Sequence, residues 1–385
     1  MNIRKKIDPQ IIGIIKKLQH SGFETYLVGG AVRDFLLNRE PKDYDISTSA
    51  TPEQIRDVFG RRRARIIGRR FRLVHLYSPN GYDVTEISTF RKKPTNDKSI
   101  NEENDIPTAD IITDDNEYGT AVEDAWRRDF TVNSLYYDPI TEQTHDLTGL
   151  GLSDLKNGIV RSLGDPTIRF NEDPVRILRA LKLVGQYGFK IEDETEKSLV
   201  KNIHAITYAS ISRLTLELIK ILNSNYSVDI IKAMRTYGLL HYFLPYLDKI
   251  WKSDEMIHTL NIMTHKSKQN FFTSPNNALA INIALLSISI VNTEFNPGHP
   301  EITLYKSELD PKKQIRKIIK KIFQPYHFPK FIVAMAADVV YMQSKLPHNK
   351  KSGKRSRGSQ MYCSRELANI FNSYWEGSDN LLDSK

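Results

Sequence analysis

The chain has a single cysteine, Cys363, in 385 residues, so no intramolecular disulfide can staple it, and a reducing compartment, the cytoplasm, is the expected setting. Long apolar runs are also missing. The most apolar window, residues 278–291, is uncharged but soon meets threonine, glutamate and proline; it is too short to span a bilayer and predicts a buried helix and no membrane partner. The stretch MNIRKKIDPQ carries basic residues with no apolar run behind them, so no signal peptide is expected. Neither GxxxxGK nor GxGxxG occurs as a phosphate loop, which removes the main support for a P-loop ATPase or a dinucleotide-binding fold. Histidines do not form a metal pattern. His75 has no second histidine at ligand spacing and reads as a structural residue, and His145-Asp146 lacks the further histidines and aspartates of an HD-type hydrolase. Acidic residues are in deficit, 46 against 55 lysines and arginines, and the net charge of +9 favours a polyanionic partner.

What is present centres on YLVGGAVRDFLLNREPKDYDIS, residues 26–47. Tyr26 to Val28 form a short apolar strand that runs into Gly29-Gly30 and then a helical stretch with Arg33. A second strand carries Asp43 and Asp45, two apart and therefore on one face. Two carboxylates crowded together need a positive charge between them. Oxygen ligands favour Mg²⁺, with Mn²⁺ acceptable, over zinc. Glycines without Cβ atoms let the backbone approach phosphate, and Arg33, one helical turn on, can reach the same oxygens. The chemistry implied is metal-dependent transfer from a nucleoside triphosphate. A third carboxylate is expected from a neighbouring strand, Glu86 first and Asp83 as the alternative.

Around this unit, Ile11, Ile12, Ile15 and Leu18 mark a helix over 8–20, and Thr51-Pro52 opens another. Residues 65–77 and 82–90 read as strands joined through a turn at Asn80-Gly81. A small α/β catalytic domain with a short mixed sheet is expected to end near 148, with a flexible polar insertion at 92–118. After 165 the pattern becomes helical. Three further groups carry functional potential. Residues 61–75 are rich in arginine, and Arg69, Arg70 and Arg72 are candidate contacts to nucleic-acid phosphates. In WRRDFTVNSLYYD, Arg128 is a candidate triphosphate ligand that Asp129 could pair with, and Asn133 shares a face with Asp129 only if the helix continues. In NEDPVRILRA, a helix from Pro174 would make Asp173 its N-cap, with Arg176 and Arg179 on one face. Asp173 and Arg176 match the Watson–Crick edge of adenine or cytosine and do not separate the two.

Taken together, Gly29-Gly30-Ala31-Val32-Arg33-Asp34, Asp43-x-Asp45, Arg127-Arg128-Asp129 and Glu172-Asp173-x-x-Arg176-x-x-Arg179 resemble the class II group of the polymerase-beta nucleotidyltransferase superfamily, over residues 26 to about 245. The group holds the CCA-adding tRNA nucleotidyltransferases and the bacterial poly(A) polymerases. The resemblance implies an α+β fold: a polymerase-beta-like nucleotidyltransferase head (1–148), then a helical neck (149–245) and a helical body and tail (246–385) ending in a basic segment. It implies Mg²⁺-dependent, template-independent addition of nucleotides to RNA 3′ ends with loss of pyrophosphate. Asp43 and Asp45 would hold metal, Gly29, Gly30, Arg33 and Arg128 the triphosphate, and Asp173 and Arg176 would select the base with Arg179 as buttress. Residues 66–76 resemble the poly(A) polymerase branch, so AMP addition from ATP is the expectation and CCA addition the alternative. A non-catalytic RNA-binding protein is the competing class, opposed by the complete carboxylate set. Oligomeric state is left open, a monomer being compatible, and no protein partner is assigned.

Overall fold

The computed structural model describes residues 3–68, 72–78, 81, 84–92, 117–252, 254–268, 274–295 and 310–343. Arg69, Arg70, Asp83, nearly all of the expected insertion and the basic C-terminal segment lie outside the described residues. Two compact units are present: Met1–Ala180 with Tyr187–Asn202, and Leu181–Gln186 with Ile203–Lys385. The division therefore runs through the segment expected as the neck.

In the first unit, α1 (Pro9–His20) is capped by Asp8, whose carboxylate accepts from the Gln10 amide, and it leads to β1 (Thr25–Val28). After the glycine pair come α2 (Gly30–Leu36), β2 (Asp45–Thr48) and α3 (Pro52–Phe59), the last opened by a reciprocal Thr51/Gln54 capping box. Next are β3 (Ala64–Ile67), β4 (Leu73–Tyr77), β5 (Val84–Thr89), α4 (Ala121–Arg127), β6 (Leu135–Asp138) and β7 (Gln143–Asp146). The seven strands form one sheet in the order β3-β4-β5-β2-β1-β6-β7. Pairing is antiparallel except between β2 and β5, so the sheet is mixed, as expected. The single strand read over 65–77 is in fact two antiparallel strands, β3 and β4; Gly68, at φ 85°, lies where the chain leaves β3. Val28, Phe90, Ala121, Ala125 and Tyr136 form a buried cluster that seats α4 on the strands bearing the glycine turn.

The unit continues through α5 (Gly151–Asn157), β8 (Ile159–Val160), α6 (Pro166–Glu172), α7 (Val175–Tyr187), β9 (Lys190–Ile191) and α8 (Asp193–Lys201), β8 and β9 forming a two-stranded parallel pair. The second unit takes Leu181–Gln186 of α7, Tyr187 returning to the first, and is helical among its described residues. It holds α9 (Ile211–Leu222), α10 (Ser227–Thr236), α11 (Leu239–Phe243), α12 (Pro245–Lys249), α13 (Asp254–Lys268), α14 (Pro275–Phe295), α15 (Pro311–Ile322) and α16 (Lys330–Gln343). The apolar window becomes the buried middle of α14, where Asn282 donates to the Leu222 carbonyl. No described helix is long and apolar enough to cross a membrane.

Candidate active site

The site is built where β1 ends. Gly29 adopts φ 73° and ψ −134°, a conformation open to glycine and costly for other residues. A Cβ placed there would also lie 3.2 Å from Arg128 Nη1 and 4.0 Å from Asp45 Oδ2. The absence of a side chain thus leaves bare backbone between a guanidinium and a carboxylate. The turn is fixed from below by the Gly29 amide, which donates to the Leu135 carbonyl at 3.1 Å.

Asp45 is the first residue of β2, and sheet register sets it opposite Glu86 on β5. Glu86 in turn is opposite His75 on β4, whose Nε2 lies 3.4 Å from Glu86 Oε1. Asp45, Glu86 and His75 therefore form a row across three strands. Asp43 differs from expectation: β2 begins at Asp45, so Asp43 sits in the connection before the strand and strand alternation does not fix its direction. Asp43, Asp45 and Glu86 are all exposed. Among the described residues no three acidic, histidine or cysteine side chains are grouped closely enough to hold a metal ion. The donors available are nonetheless all carboxylate oxygens, two of them on paired strands, a chemistry that fits a hard divalent cation.

Arg33 is buried and turned inward. Its Nε and Nη2 donate to Asp34 Oδ1 at 3.0 and 2.9 Å, Nη1 donates to Asn133 Oδ1 at 2.6 Å, and Nη2 also donates to the Tyr187 hydroxyl at 2.6 Å. Arg128 does not pair with Asp129 as the sequence suggested. It donates to Asp124 Oδ2, the Tyr136 hydroxyl and Ser47 Oγ, each at 3.1 Å, because it closes α4 and points back along the helix to Asp124. Burial opposes the Arg128 charge, but Tyr136 and Asp124 outweigh it and hold its pKa above the usual value.

Asp129 faces Arg179 instead, Oδ2 to Nη1 at 3.6 Å, and its Oδ1 accepts from Asn133 Nδ2 at 3.0 Å and the Phe130 amide at 2.8 Å. Burial pushes this carboxyl up, yet Arg179, Asn133 and the Phe130 amide bring it below its ordinary value. The Asp129–Asn133 contact forms although α4 has already stopped at Arg127 and a 3₁₀ turn, Thr131–Asn133, intervenes.

The group expected to select the base also differs from expectation. Asp173 lies between α6 and α7; α7 begins at Val175 and not Pro174, so Asp173 stands one residue before the cap position, although its Oδ1 accepts from the Val175 amide at 3.2 Å. Arg176 is buried. Its Nη1 donates to the Arg169 carbonyl at 2.7 Å and to Glu172 Oε2 at 3.1 Å, so this nitrogen is committed within the protein and not presented to a base. Arg179 is the more open of the two, with 44% of its side chain exposed. Arg72 is paired with Glu53.

Several organising residues escaped the sequence reading. Arg169 binds Glu172 Oε2 at 2.8 Å and the carbonyls of Arg127 and Arg128, holding the end of α4. The Arg169/Glu172/Arg176 spacing of three and four residues was the available signal. The four-residue spacing of Asp124 and Arg128 was a signal of the same kind, whereas Tyr136, which also holds Arg128, and Tyr187, which holds Arg33, had none, since these pairings are set by tertiary packing.

Comparison with known proteins adds the following. Residues 25–161 match the family described as Poly A polymerase head domain, and residues 188–250 match the one described as Probable RNA and SrmB- binding site of polymerase A. The chain is similar to Poly(A) polymerase I of Haemophilus influenzae, 38% identical over 244 residues, covering 63% of this chain and 53% of that protein. It is also similar to the CCA-adding enzyme of Staphylococcus saprophyticus, 34% identical over 281 residues, covering 72% and 64%. The chain spans about half the length of the poly(A) polymerases it matches. Among solved structures, the Bacillus stearothermophilus CCA-adding enzyme in complex with CTP aligns with a TM-score of 0.57 at 21% identity, over 95% of this chain and 83% of the other.

Proposed function

The chain belongs to the class II nucleotidyltransferase family, the family of poly(A) polymerases and CCA-adding enzymes, and from that premise we propose that it adds nucleotides from nucleoside triphosphates to RNA 3′ ends. The observation that carries this reading is the meeting of the bare Gly29 backbone with Arg128 on one side and Asp45 on the other, Asp45 being in register with Glu86. Asp43, Asp45 and Glu86 would hold Mg²⁺ or Mn²⁺, which lowers the pKa of an attacking hydroxyl and neutralises a triphosphate when bound. The chain's own part is geometric and electrostatic. Gly29 and Gly30 admit phosphate oxygens to the backbone, Arg128 supplies a fixed positive charge beneath them, and Arg33 braces the start of α2. Asp173 and the more exposed Arg179 are the groups nearest in kind to a base edge.

The choice of base has two readings. AMP addition alone is supported by the higher identity to a poly(A) polymerase. CCA addition, with CTP used as well as ATP, has the wider support along the chain, because the match to a CCA-adding enzyme runs over 281 residues against 244. The purified protein, offered ATP and CTP separately and mixed with Mg²⁺, on a generic RNA and on tRNAs lacking their final nucleotides, separates them. Long A tails on generic RNA support the first. Addition confined to tRNA that stops after C, C and A supports the second. Failure to release pyrophosphate on any RNA would overturn nucleotide addition itself and leave an RNA-binding protein.

A further inference from the structure

The guanidinium of Arg33 is heavily committed, and one of its partners comes from a position outside every motif. Tyr187 is the last residue of α7. Its hydroxyl accepts from Arg33 Nη2 at 2.6 Å and donates to Asp34 Oδ1 at 2.6 Å, while the same Asp34 oxygen accepts from Arg33 Nε and Nη2. The three side chains close a triangle in which each touches the other two. The Tyr187 ring also faces two cations: the guanidinium carbons of Arg33 and Arg39 lie 4.5 and 4.6 Å from its centroid. Arg33 Nη2 is thereby kept 3.4 Å from where a Cβ of Gly30 would be, beside the turn itself. Burial raises the phenol above its ordinary value, so it stays a protonated donor through neutral pH.

We propose that Tyr187 is a positioning residue for nucleotide binding, which holds Arg33 in one orientation against Gly30 so that the phosphate-accepting turn is formed before substrate arrives. This rests on the assignment of the glycine turn to the triphosphate. The physical basis is preorganisation. An arginine ordered only on binding loses rotamer freedom at that step, whereas one already ordered does not. The hydroxyl matters because it joins Asp34 to Arg33 from outside α2, and the ring matters because its π system lies against the guanidiniums of both Arg33 and Arg39.

Tyr187→Phe keeps the ring and removes both hydroxyl bonds. In the full chain with Mg²⁺ and an RNA primer, KM for ATP should rise by about tenfold with kcat within about twofold, the pattern of a lost hydrogen bond to a charged group that acts on binding alone. Equilibrium ATP affinity without RNA should fall by the same factor. Tyr187→Leu, which also removes the stack, should raise KM further. Arg33→Lys should weaken binding too, and its combination with Tyr187→Phe should cost less than the two separately, because Tyr187 acts through Arg33. Thermal melting of each variant, with binding measured below its midpoint, keeps a loss of fold apart from a loss of positioning. An unchanged KM in Tyr187→Phe beside a raised KM in Arg33→Lys would overturn the role of Tyr187 and leave nucleotide addition standing. Full additivity of the two changes would overturn it as well. A parent protein that neither binds ATP nor extends RNA would remove the function and this role with it.

Discussion

Glu172→Gln should destabilise the first unit by about 3 kcal/mol, and the structure fixes both the sign and the scale. Glu172 is 7% exposed, and its Oε2 accepts from Arg169 Nη1 at 2.8 Å and Arg176 Nη1 at 3.1 Å. Both arginines are themselves buried. Burial, and then the charge of Arg176, already bring the Arg169 pKa down to about 10 against the opposing pull of Glu172. The amide keeps the shape and one acceptor but removes the anion, leaving two buried guanidiniums facing each other. Removing one partner of a buried charge pair costs about 3–5 kcal/mol. The lower end applies because Asp129 also acts favourably on Arg169. For a unit of this size that is a fall in Tm of roughly 6–12 °C. The assay is thermal denaturation at neutral pH of the parent, Glu172→Gln, Arg169→Met and the double variant. Since Arg169→Met removes one of the stranded charges, the double variant should be less destabilised than the sum of the singles by about 1 kcal/mol or more. A Tm within about 2 °C of the parent, or additive effects, would refute the reasoning.

Asp43→Asn and Asp45→Asn should each nearly abolish nucleotide addition with melting unchanged, since both carboxylates are exposed; Glu86→Gln should do the same, and turnover within a few-fold of the parent would remove the residue concerned from the metal-binding set. Asp129→Asn should flatten the acid limb of the stability–pH curve: a carboxyl held below its ordinary 3.8 stabilises the fold above that pH and loses the effect as pH falls through its lower folded value. A variant whose acid limb matches the parent's would contradict this. On α15, Lys313, Arg316, Lys317 and Lys320 are exposed, their side chains with no hydrogen-bonded or ion-pair partner among the described residues, and their helical spacing puts them on one side, opposite buried Ile315, Ile319 and Ile322. If they meet RNA phosphates, neutralising all four should lower the slope of log affinity against log salt by about 3, at ~0.7 per charge on a single strand; an unchanged slope would make them a solvated face.

The elements legible in the sequence were those whose cause is local. Thr51-Pro52 announces α3 because a capping side chain and a proline at the first turn act within four residues, and the spacing of Ile11, Ile12, Ile15 and Leu18 announces α1. The helical second unit follows from apolar spacing near 3.6, and the mixed sheet from the strand–turn–helix–strand opening. Two strands of the seven-stranded sheet were not legible. In β6 all four residues, Leu135 to Asp138, are buried, so alternation is absent, and β7, Gln143 to Asp146, has no apolar residue to mark a face. Both become strands only by pairing, with β1 on one side of β6 and β7 on the other. The split of 65–77 had its signal in Gly68, which an arginine-rich reading of the segment passed over.

At the site, the carboxylates and glycines were readable as residue types in a pattern, and sheet register adds that Glu86 stands opposite Asp45. Arginines were harder, for a reason that lies in the side chain. A guanidinium offers five donors, so a motif arginine can serve substrate with some and the protein with others, and sequence does not divide them. Arg33 spends its nitrogens on Asp34, Asn133 and Tyr187, partners 1, 100 and 154 residues away. Arg128 spends its own on Asp124, Tyr136 and Ser47. Arg176 is tied to Glu172 and the Arg169 carbonyl. Arg179, 3.6 Å from Asp129, keeps 44% of its side chain in solvent. The same arginines that mark the motifs therefore bind the turn, α4 and the α6–α7 junction into one charged framework. A substitution at any of them should change both fold and nucleotide handling, and only a split between melting temperature and KM can assign the larger share.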